Sequence, residues 1–358
     1  MKHTTVILLL SVLTLVLHAQ HKTENIVIVT MDGMRWHEVF GGVDETLMND
    51  KTYDHDIKGI TEKFWAGTQE ERRKKLFPFF WSTIAAHGQL YGNRKYDNKI
   101  DNANPYWFSY PGYSEIFTGY PDTAINSNDK ILNPNENVLE YINKQKGYIN
   151  KVAAFTSWDA FPYILNSKRS GLYVNADVDT IKLSAPNLQL INDMQLLSTR
   201  PVDIRTDVIT YMAGREYLKA YKPKILYISL GETDDYAHAG MYDQYISSAH
   251  AEDAMIADLW RTLQSMPQYK DKTTLIITCD HGRGDKIKST WKDHGSKTED
   301  SHELWLAVMG PDTKPEGELK TPGQLYQKQI AATVAKLLGL NFTTNHPVGD
   351  PIISIYKK

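Results

Sequence analysis

The 358-residue chain contains very little cysteine and no excess of positive charge. Its single cysteine, Cys279, excludes an internal disulfide, a cysteine-based zinc finger and a paired-thiol redox site. The 40 lysine and arginine residues are balanced by 43 aspartate and glutamate residues, so the net charge is -3. Because a protein that coats nucleic acid needs cations against the phosphates, we expect no such role for this chain.

The sequence also lacks an apolar run of the length that crosses a membrane, which is about 20 residues. The N-terminal run at 6–17 is shorter, follows the basic residue Lys2 and precedes Ala19 and Gln20. This pattern is typical of a secretory signal peptide. We therefore expect residues 1–20 to be a signal peptide and the mature protein to be exported, periplasmic or secreted, with no membrane span. An uncleaved anchor or a buried core segment is the alternative.

Apolar runs rich in β-branched residues alternate with amphipathic helical patterns along the rest of the chain. The runs lie at 25–31, 151–155, 225–230, 274–278 and 304–309, and the helical patterns lie at 76–86, 138–146, 203–220, 244–266 and 324–338. Continuous apolar strands are typical of strands buried on both faces, and their alternation with helices indicates a parallel sheet. We predict a single α/β domain over 21–358, with a central, mostly parallel sheet flanked by helices on both faces.

Two polar segments, at 41–73 and at about 161–201, do not fit this alternation. Both are interrupted by Gly, Asn or Pro residues. We expect them to be insertions over the carboxyl ends of the strands, with the segment at 161–201 forming a cap. Ordinary surface loops are the alternative and are nearly as well supported.

Aspartate and histidine residues lie close to the ends of the predicted strands, where ligands bind in open α/β sheets. Three carboxylates and three imidazoles are involved: Asp32, Asp234, His238, Asp280, His281 and His294. Each alone has an ordinary explanation, since Asp32 could cap a helix and Asp280-His281-Gly282 could be a simple turn. Together they indicate a metal centre, for which zinc is the best match and manganese or iron would also serve.

Ser109, in the segment Ser109-Tyr110-Pro111-Gly112, offers a nucleophile. A serine hydroxyl is reactive only when a metal or a base takes its proton. If a helix starts here, its free N–H groups after Ser109 would face a bound anion. From this segment alone, a helix cap remains the preferred reading of Ser109. The surrounding aromatic residues would either wall a leaving-group pocket or pack in the core: Tyr106, Trp107, Phe108, Tyr110 and Tyr113.

The order of these motifs resembles the alkaline phosphatase superfamily, and is most similar to its nucleotide pyrophosphatase/phosphodiesterase-like branch. The resemblance covers about 25–120 and 222–340. It implies an alkaline-phosphatase-like fold and two divalent metal ions, usually zinc. The residues that it assigns to the first ion are Asp234, His238 and His294. Those that it assigns to the second ion are Asp32, Asp280, His281 and the nucleophile Ser109.

The resemblance also implies the reaction, which is hydrolysis of small-molecule phosphate mono- or diesters through a phosphoseryl intermediate on Ser109. Arg283 is the candidate side chain for contact with the phosphoryl oxygens, and Lys286 is a second. A sulfatase is disfavoured because the only cysteine, Cys279, lies beside the metal-ligand candidate Asp280. Two alternatives stay open: a non-catalytic metal-bearing protein that binds phosphorylated ligands, and a sugar-phosphate mutase. The sequence leaves the oligomeric state open.

Overall fold

The computed structural model describes residues 22–356, so the predicted signal peptide at 1–20 lies outside the described residues. Among the helices of the described part, none combines the length and the apolar character that crossing a membrane requires.

Residues 22–356 contain eleven strands in two sheets. The strands are β1 (Asn25–Met31), β2 (Gly88–Tyr91), β3 (Asn98–Asp101), β4 (Val152–Thr156), β5 (Tyr173–Ala176), β6 (Ile225–Leu230), β7 (Thr273–Thr278), β8 (Glu303–Leu304), β9 (Leu306–Met309), β10 (Gly317–Glu318) and β11 (Gly323–Tyr326).

The same residues form fifteen α-helical segments, several of them a single turn. They are α1 (Trp36–Gly41), α2 (Glu45–Met48), α3 (Ile57–Phe64), α4 (Gln69–Leu76), α5 (Ala85–His87), α6 (Ser109–Thr118), α7 (Val138–Asn143), α8 (Phe161–Ile164), α9 (Ser167–Ser170), α10 (Pro186–Leu197), α11 (Asp207–Tyr221), α12 (Glu232–His238), α13 (Tyr242–Ser265), α14 (Gln329–Leu337) and α15 (Ile353–Tyr356). A π-helical turn lies at Phe80–Ile84, and 3-10 turns lie at Arg94–Tyr96, Lys288–Lys292 and Glu299–His302.

The main sheet has eight strands in the order β10-β2-β9-β7-β1-β6-β4-β5. Only β9 runs antiparallel to its neighbours among these described strands. Every residue of β1, β6 and β7 is buried, as their continuous apolar sequences predict. The predicted α/β fold with a mostly parallel sheet flanked by helices is confirmed.

Strand register places the ends of β1, β6 and β7 at one edge of the sheet. Thr30 of β1 is aligned with Ser229 of β6 and with Thr278 of β7. Because the three strands are parallel and adjacent, the residues that follow them lie side by side. Asp32 and Asp280 are therefore brought together although they are far apart in the sequence.

Some segments differ from the sequence prediction. Tyr173–Ala176, inside the expected insertion at 161–201, is an edge strand of the main sheet and pairs with β4. Gly323–Tyr326, expected to begin a helix, is instead a strand that pairs with β3. Both are short, partly exposed edge strands, so they lack the continuous apolar run that identifies a central strand. The segment at 41–73 carries three short helices, of which the last continues to Leu76.

Helix α6 is completely buried and is held in place by the carboxylate of Glu115. That carboxylate accepts hydrogen bonds from the backbone N–H groups of Ala103, Asn104 and Lys328, and from the side chain of Asn104. One buried acceptor thus joins α6 to two other segments of the chain. The position of Ser109, the first residue of α6, depends on this junction.

We predict that Glu115→Ala lowers the free energy of unfolding by about 3 kcal/mol or more, because it leaves buried N–H donors without an acceptor. The measurement is urea unfolding of both proteins. Glu62→Ala is the matched control, since Glu62 is 67% exposed and forms an ion pair with the exposed Lys58 at 3.8 Å. A loss as small as that of the control would show that Glu115 does not hold these segments together.

Candidate metal centre

Two buried carboxylates face each other beyond β1 and β7. Asp32 accepts a hydrogen bond at Oδ2 from the hydroxyl of Tyr113 at 2.8 Å, and Asp280 accepts one at Oδ1 from the N–H of Gly33 at 3.1 Å. The other oxygen of each carboxylate is buried and accepts no hydrogen bond from the described residues. Buried acceptors without donors are costly, so a cation at this position would stabilise the pair.

His281 lies between these carboxylates. Its Nε2 atom is 3.3 Å from Oδ1 of Asp32, 3.4 Å from Oδ2 of Asp280 and 3.7 Å from Oδ1 of Asp234. Its Nδ1 atom is 2.9 Å from the carbonyl oxygen of Gly282, a geometry in which Nδ1 carries the proton. An imidazole held in this way presents the lone pair of Nε2 to a metal.

A second group lies beside the first and is carried by α12 and the loop after β7. Nε2 of His238 is 3.2 Å from Oδ2 of Asp234 and 2.9 Å from Nε2 of His294. Oδ1 of Asp234 is 3.8 Å from Nε2 of His294. The spacing of four residues between Asp234 and His238 places both on one face of α12, as the sequence predicts.

The electrostatics of the centre reflect crowded ionisable groups. Burial raises the pKa of Asp280 well above its usual value, and the charge of Asp32 raises it further. Burial lowers the pKa of His281, but the carboxylates of Asp280, Asp32 and Asp234 outweigh it and raise that pKa to about 9. Burial and the nearby His281 hold the pKa of His294 well below its usual value. The site thus concentrates negative charge around imidazole nitrogens.

These residues fit divalent metal ions. Ligand atoms of Asp32, Asp280 and His281 all lie within 4.8 Å of one another, as do those of Asp234, His281 and His294. Mixed imidazole and carboxylate donors with buried, unpartnered oxygens are the donor set that zinc and similar ions take. His281 belongs to both groups.

Ser109 lies at the same place, with Oγ 3.3 Å from Nε2 of His281. This closeness requires Gly112, because a Cβ atom there would lie only 2.4 Å from the carbonyl oxygen of Asp280. The expectation that the N–H groups after Ser109 face an anion is wrong. Tyr110 donates its N–H to Asn128, Pro111 has none, and Gly112 donates to Phe108.

A cavity of about 220 Å³ opens beside Ser109. It is lined by Asp32, Ser109, Asn128, Trp158, Asp159, Asp203, Ile204, Ser229, Gly231, Asp234, Asp235, His238 and His294. The aromatic residues at 106–113 were candidates for this wall, and none of them lines the cavity. Trp158 does, and sequence reasoning missed it. It lies two residues beyond β4, so the strand-end argument that found Asp32 could also have found Trp158.

Arg283 lies behind the centre. It is 1% exposed, forms an ion pair with the carboxylate of Asp234 and donates to the carbonyl oxygen of Lys292 at 2.6 Å. Burial raises the pKa of Asp234, but Arg283 and the nearby histidines hold it well below its usual value. Arg283 therefore orients Asp234, and its contact with a substrate stays a prediction. Lys286 is exposed and pairs with Glu299.

Asp207, which sequence reasoning did not single out, holds the start of α12. Its buried carboxylate accepts hydrogen bonds from the N–H groups of Gly231 at 2.8 Å and Glu232 at 2.9 Å, and from the hydroxyl of Ser157. These bonds fix the helix that carries Asp234. Aspartate is common in the first turn of helices, so its presence at the start of α11 does not by itself indicate this role.

Solved structures with the same architecture identify the fold. Wild-type alkaline phosphatase PafA is 11% identical, with 93% of this chain and 99% of PafA covered and a TM-score of 0.63. The chain has the alkaline phosphatase fold. A putative sulfatase from Bacteroides thetaiotaomicron is 12% identical over 90% of this chain and 72% of its own, with a TM-score of 0.58. The lipoteichoic acid synthase LtaP from Listeria monocytogenes is 13% identical over 90% and 73%, with a TM-score of 0.56.

Comparison of sequences adds one further match. Residues 204–342 match the family model described as Metalloenzyme superfamily. This range carries Asp234, His238, Asp280, His281 and His294, whereas Asp32 and Ser109 precede it. No curated protein sequence matches the chain. The alkaline phosphatase fold accommodates phosphatases and sulfatases alike, so the phosphodiesterase-like branch stays a prediction.

We predict that the Asp280→Asn substitution does not lower the thermal stability of the metal-free protein but reduces the stability that the protein gains from metal. With EDTA the variant should melt at the same temperature as the parent or higher, because one of two facing buried charges is removed. With Zn²⁺ at 100 times its dissociation constant, the parent should gain about 3 kcal/mol of stability and the variant much less. Thermal melts in both buffers test this, with the exposed Asp193→Asn as control. An equal gain from Zn²⁺ in parent and variant would exclude Asp280 as a ligand.

Proposed function

We propose that the protein is a metal-dependent hydrolase of phosphate esters and that Ser109 is its nucleophile. The observation that carries this proposal is the position of the Ser109 hydroxyl, which lines the cavity and lies 3.3 Å from Nε2 of His281. A hydroxyl beside a cluster of metal-ligand side chains is the arrangement that metal-activated nucleophiles require. The matching fold of phosphatases is consistent with it.

We propose two divalent ions, for which zinc suits the donors best. Asp234, His238 and His294 would hold one, and Asp32, Asp280 and His281 would hold the other, together with Ser109. Bound there, such ions supply a lowered pKa at the serine hydroxyl and positive charge for the oxygens of the phosphoryl group.

The side chains of the protein then perform the transfer. Oγ of Ser109 loses its proton to solvent and forms a bond to phosphorus while the bond from phosphorus to the departing oxygen breaks, and that oxygen takes up a proton from solvent and leaves as an alcohol. Water then attacks phosphorus, the bond from phosphorus to Oγ of Ser109 breaks, and Oγ takes up a proton, so that the serine hydroxyl is restored and phosphate (from a monoester) or a phosphate monoester (from a diester) is released. Meanwhile Tyr113 holds the carboxylate of Asp32 by its hydrogen bond, and Arg283 fixes Asp234 through their ion pair. Positioning of this kind is the main contribution of protein groups to phosphoryl transfer.

Phosphate esters are favoured over sulfate esters by the position of the only cysteine. The resemblance assigns sulfatases a nucleophile made from cysteine, and the thiol of Cys279 is fully buried and does not line the cavity. Ser109 occupies the position beside the metal-ligand side chains. We also propose that the enzyme acts outside the cytoplasm, which the apolar run at 6–17 supports.

The decisive experiment is hydrolysis of p-nitrophenyl phosphate and bis(p-nitrophenyl) phosphate by the zinc-loaded protein. Ser109→Ala should reduce kcat by about a thousandfold or more, because the covalent route is lost. Ser82→Ala is the matched control, since Ser82 is exposed and does not line the cavity. Acid quenching during turnover should leave phosphate on the parent and none on the Ser109→Ala variant.

Other outcomes of this experiment would indicate a different mechanism or a different function. Turnover that is unchanged in Ser109→Ala would defeat the covalent mechanism. Absence of turnover with every ester, in protein that has bound metal, would favour the non-catalytic binder of phosphorylated ligands. Transfer of phosphate to an added sugar alcohol in preference to water would favour the mutase.

A further inference from the structure

Two buried aspartates lie where the loop before α3 packs against the start of α13. The backbone N–H of Tyr242, the first residue of α13, donates to the carbonyl oxygen of Tyr53 at 2.7 Å. The rings of both tyrosines pack edge-on against Trp291, which fixes the junction. Asp54 and Asp243 directly follow the two tyrosines, and they are only 2% and 4% exposed.

Each of these aspartates keeps one carboxylate oxygen without a hydrogen-bond donor. Oδ1 of Asp54 accepts the N–H of Asp56 at 2.8 Å, and Oδ2 of Asp243 accepts from the side chain of Gln244 at 3.3 Å. Oδ2 of Asp54 and Oδ1 of Asp243 are buried and accept no hydrogen bond from the described residues. Neither carboxylate forms an ion pair within the described part of the chain.

The usual role of an aspartate at the start of a helix does not account for Asp243. Such a side chain normally accepts hydrogen bonds from free N–H groups of the first turn, whereas Asp243 accepts one only from the side chain of Gln244 among the described residues. Burial and the charge of Asp243 raise the pKa of Asp54 to about 6, although the N–H of Asp56 acts in the opposite direction. Two buried carboxylates that repel each other are stabilised by a cation between them.

We propose that the unpartnered oxygens of Asp54 and Asp243 hold a calcium ion, at a site separate from the candidate metal centre. Carboxylate oxygens are the ligands that calcium takes, and its flexible coordination lets water molecules fill the remaining positions. Zinc prefers imidazole and thiolate donors, so paired carboxylates select a harder ion than the metal centre does.

The role of this ion is structural, and it goes beyond the proposed function. The ion joins the loop before α3 to the first turn of α13. Helix α13 begins shortly after His238, the last residue of α12. Calcium at this place therefore steadies the pair of helices from which Asp234 and His238 project.

Thermal melts of the zinc-loaded protein with and without calcium test this inference. The protein is dialysed free of unbound zinc and kept at about pH 8, where both carboxylates are charged. Calcium at about 10 mM should raise the melting temperature by about 3 °C. Equilibrium dialysis with radioactive calcium should find one ion more per chain in the parent than in a variant that lacks the site.

The isosteric variants Asp54→Asn and Asp243→Asn assign the effect to these residues. Each should melt at the same temperature as the parent or higher without calcium, because one of two facing buried charges is removed, and each should lose the response to calcium. Asp193→Asn removes an exposed carboxylate from another part of the surface and should keep the full response.

Two results would overturn the calcium site. One is a parent whose melting temperature does not respond to calcium, including a parent that is stabilised only by protonation at lower pH. The other is a response that either Asp54→Asn or Asp243→Asn retains in full. Because melting and bound calcium are measured rather than turnover, neither result bears on the proposed hydrolase activity.

Discussion

The repulsion between two buried carboxylates is the constraint on which the rest of the structure depends. Asp32 and Asp280 are brought together by parallel, adjacent strands, and each keeps one oxygen without a hydrogen-bond donor. Burial and the charge of Asp32 raise the pKa of Asp280 despite the nearby His281, which is the direction expected for two carboxylates that share a buried site. The three-strand centre of the sheet, whose strands are completely buried, provides the rigidity that keeps such an arrangement from relaxing.

Contacts made by several surrounding residues hold the side chains of this centre in place. Gly112 allows α6 to approach Asp280 closely, and Glu115 ties the same helix to the segments before it and after β11. Asp207 fixes the start of α12, and Arg283 holds Asp234 from behind. Together these contacts position side chains from three separate parts of the chain to within 3.4 Å of Nε2 of His281. A hydroxyl, two carboxylates and an imidazole thereby share one small volume.

The fold and the set of clustered residues were predictable because both depend on local signals. Buried central strands are long apolar runs, and the residues just beyond them fall at one edge of the sheet. Short edge strands such as Tyr173–Ala176 could not be predicted in the same way, because they lack that run. Neither the role of Asp207 nor the hydrogen bond from the N–H group of Tyr110 to Asn128 could be predicted, because both depend on contacts with distant residues. Such features depend on contacts between residues that are far apart in the sequence, so no local sequence pattern predicts them.

The two ligand groups differ in their access to water. His281 is completely buried, whereas the side chain of His238 is 45% exposed. Asp32 and Ser109 line the cavity, so an ion held by the buried group would exchange through that cavity, whereas an ion held by His238 would also face the solvent directly. The position that includes His238 would therefore exchange its ion with free metal faster than the position that includes Asp32 and Asp280.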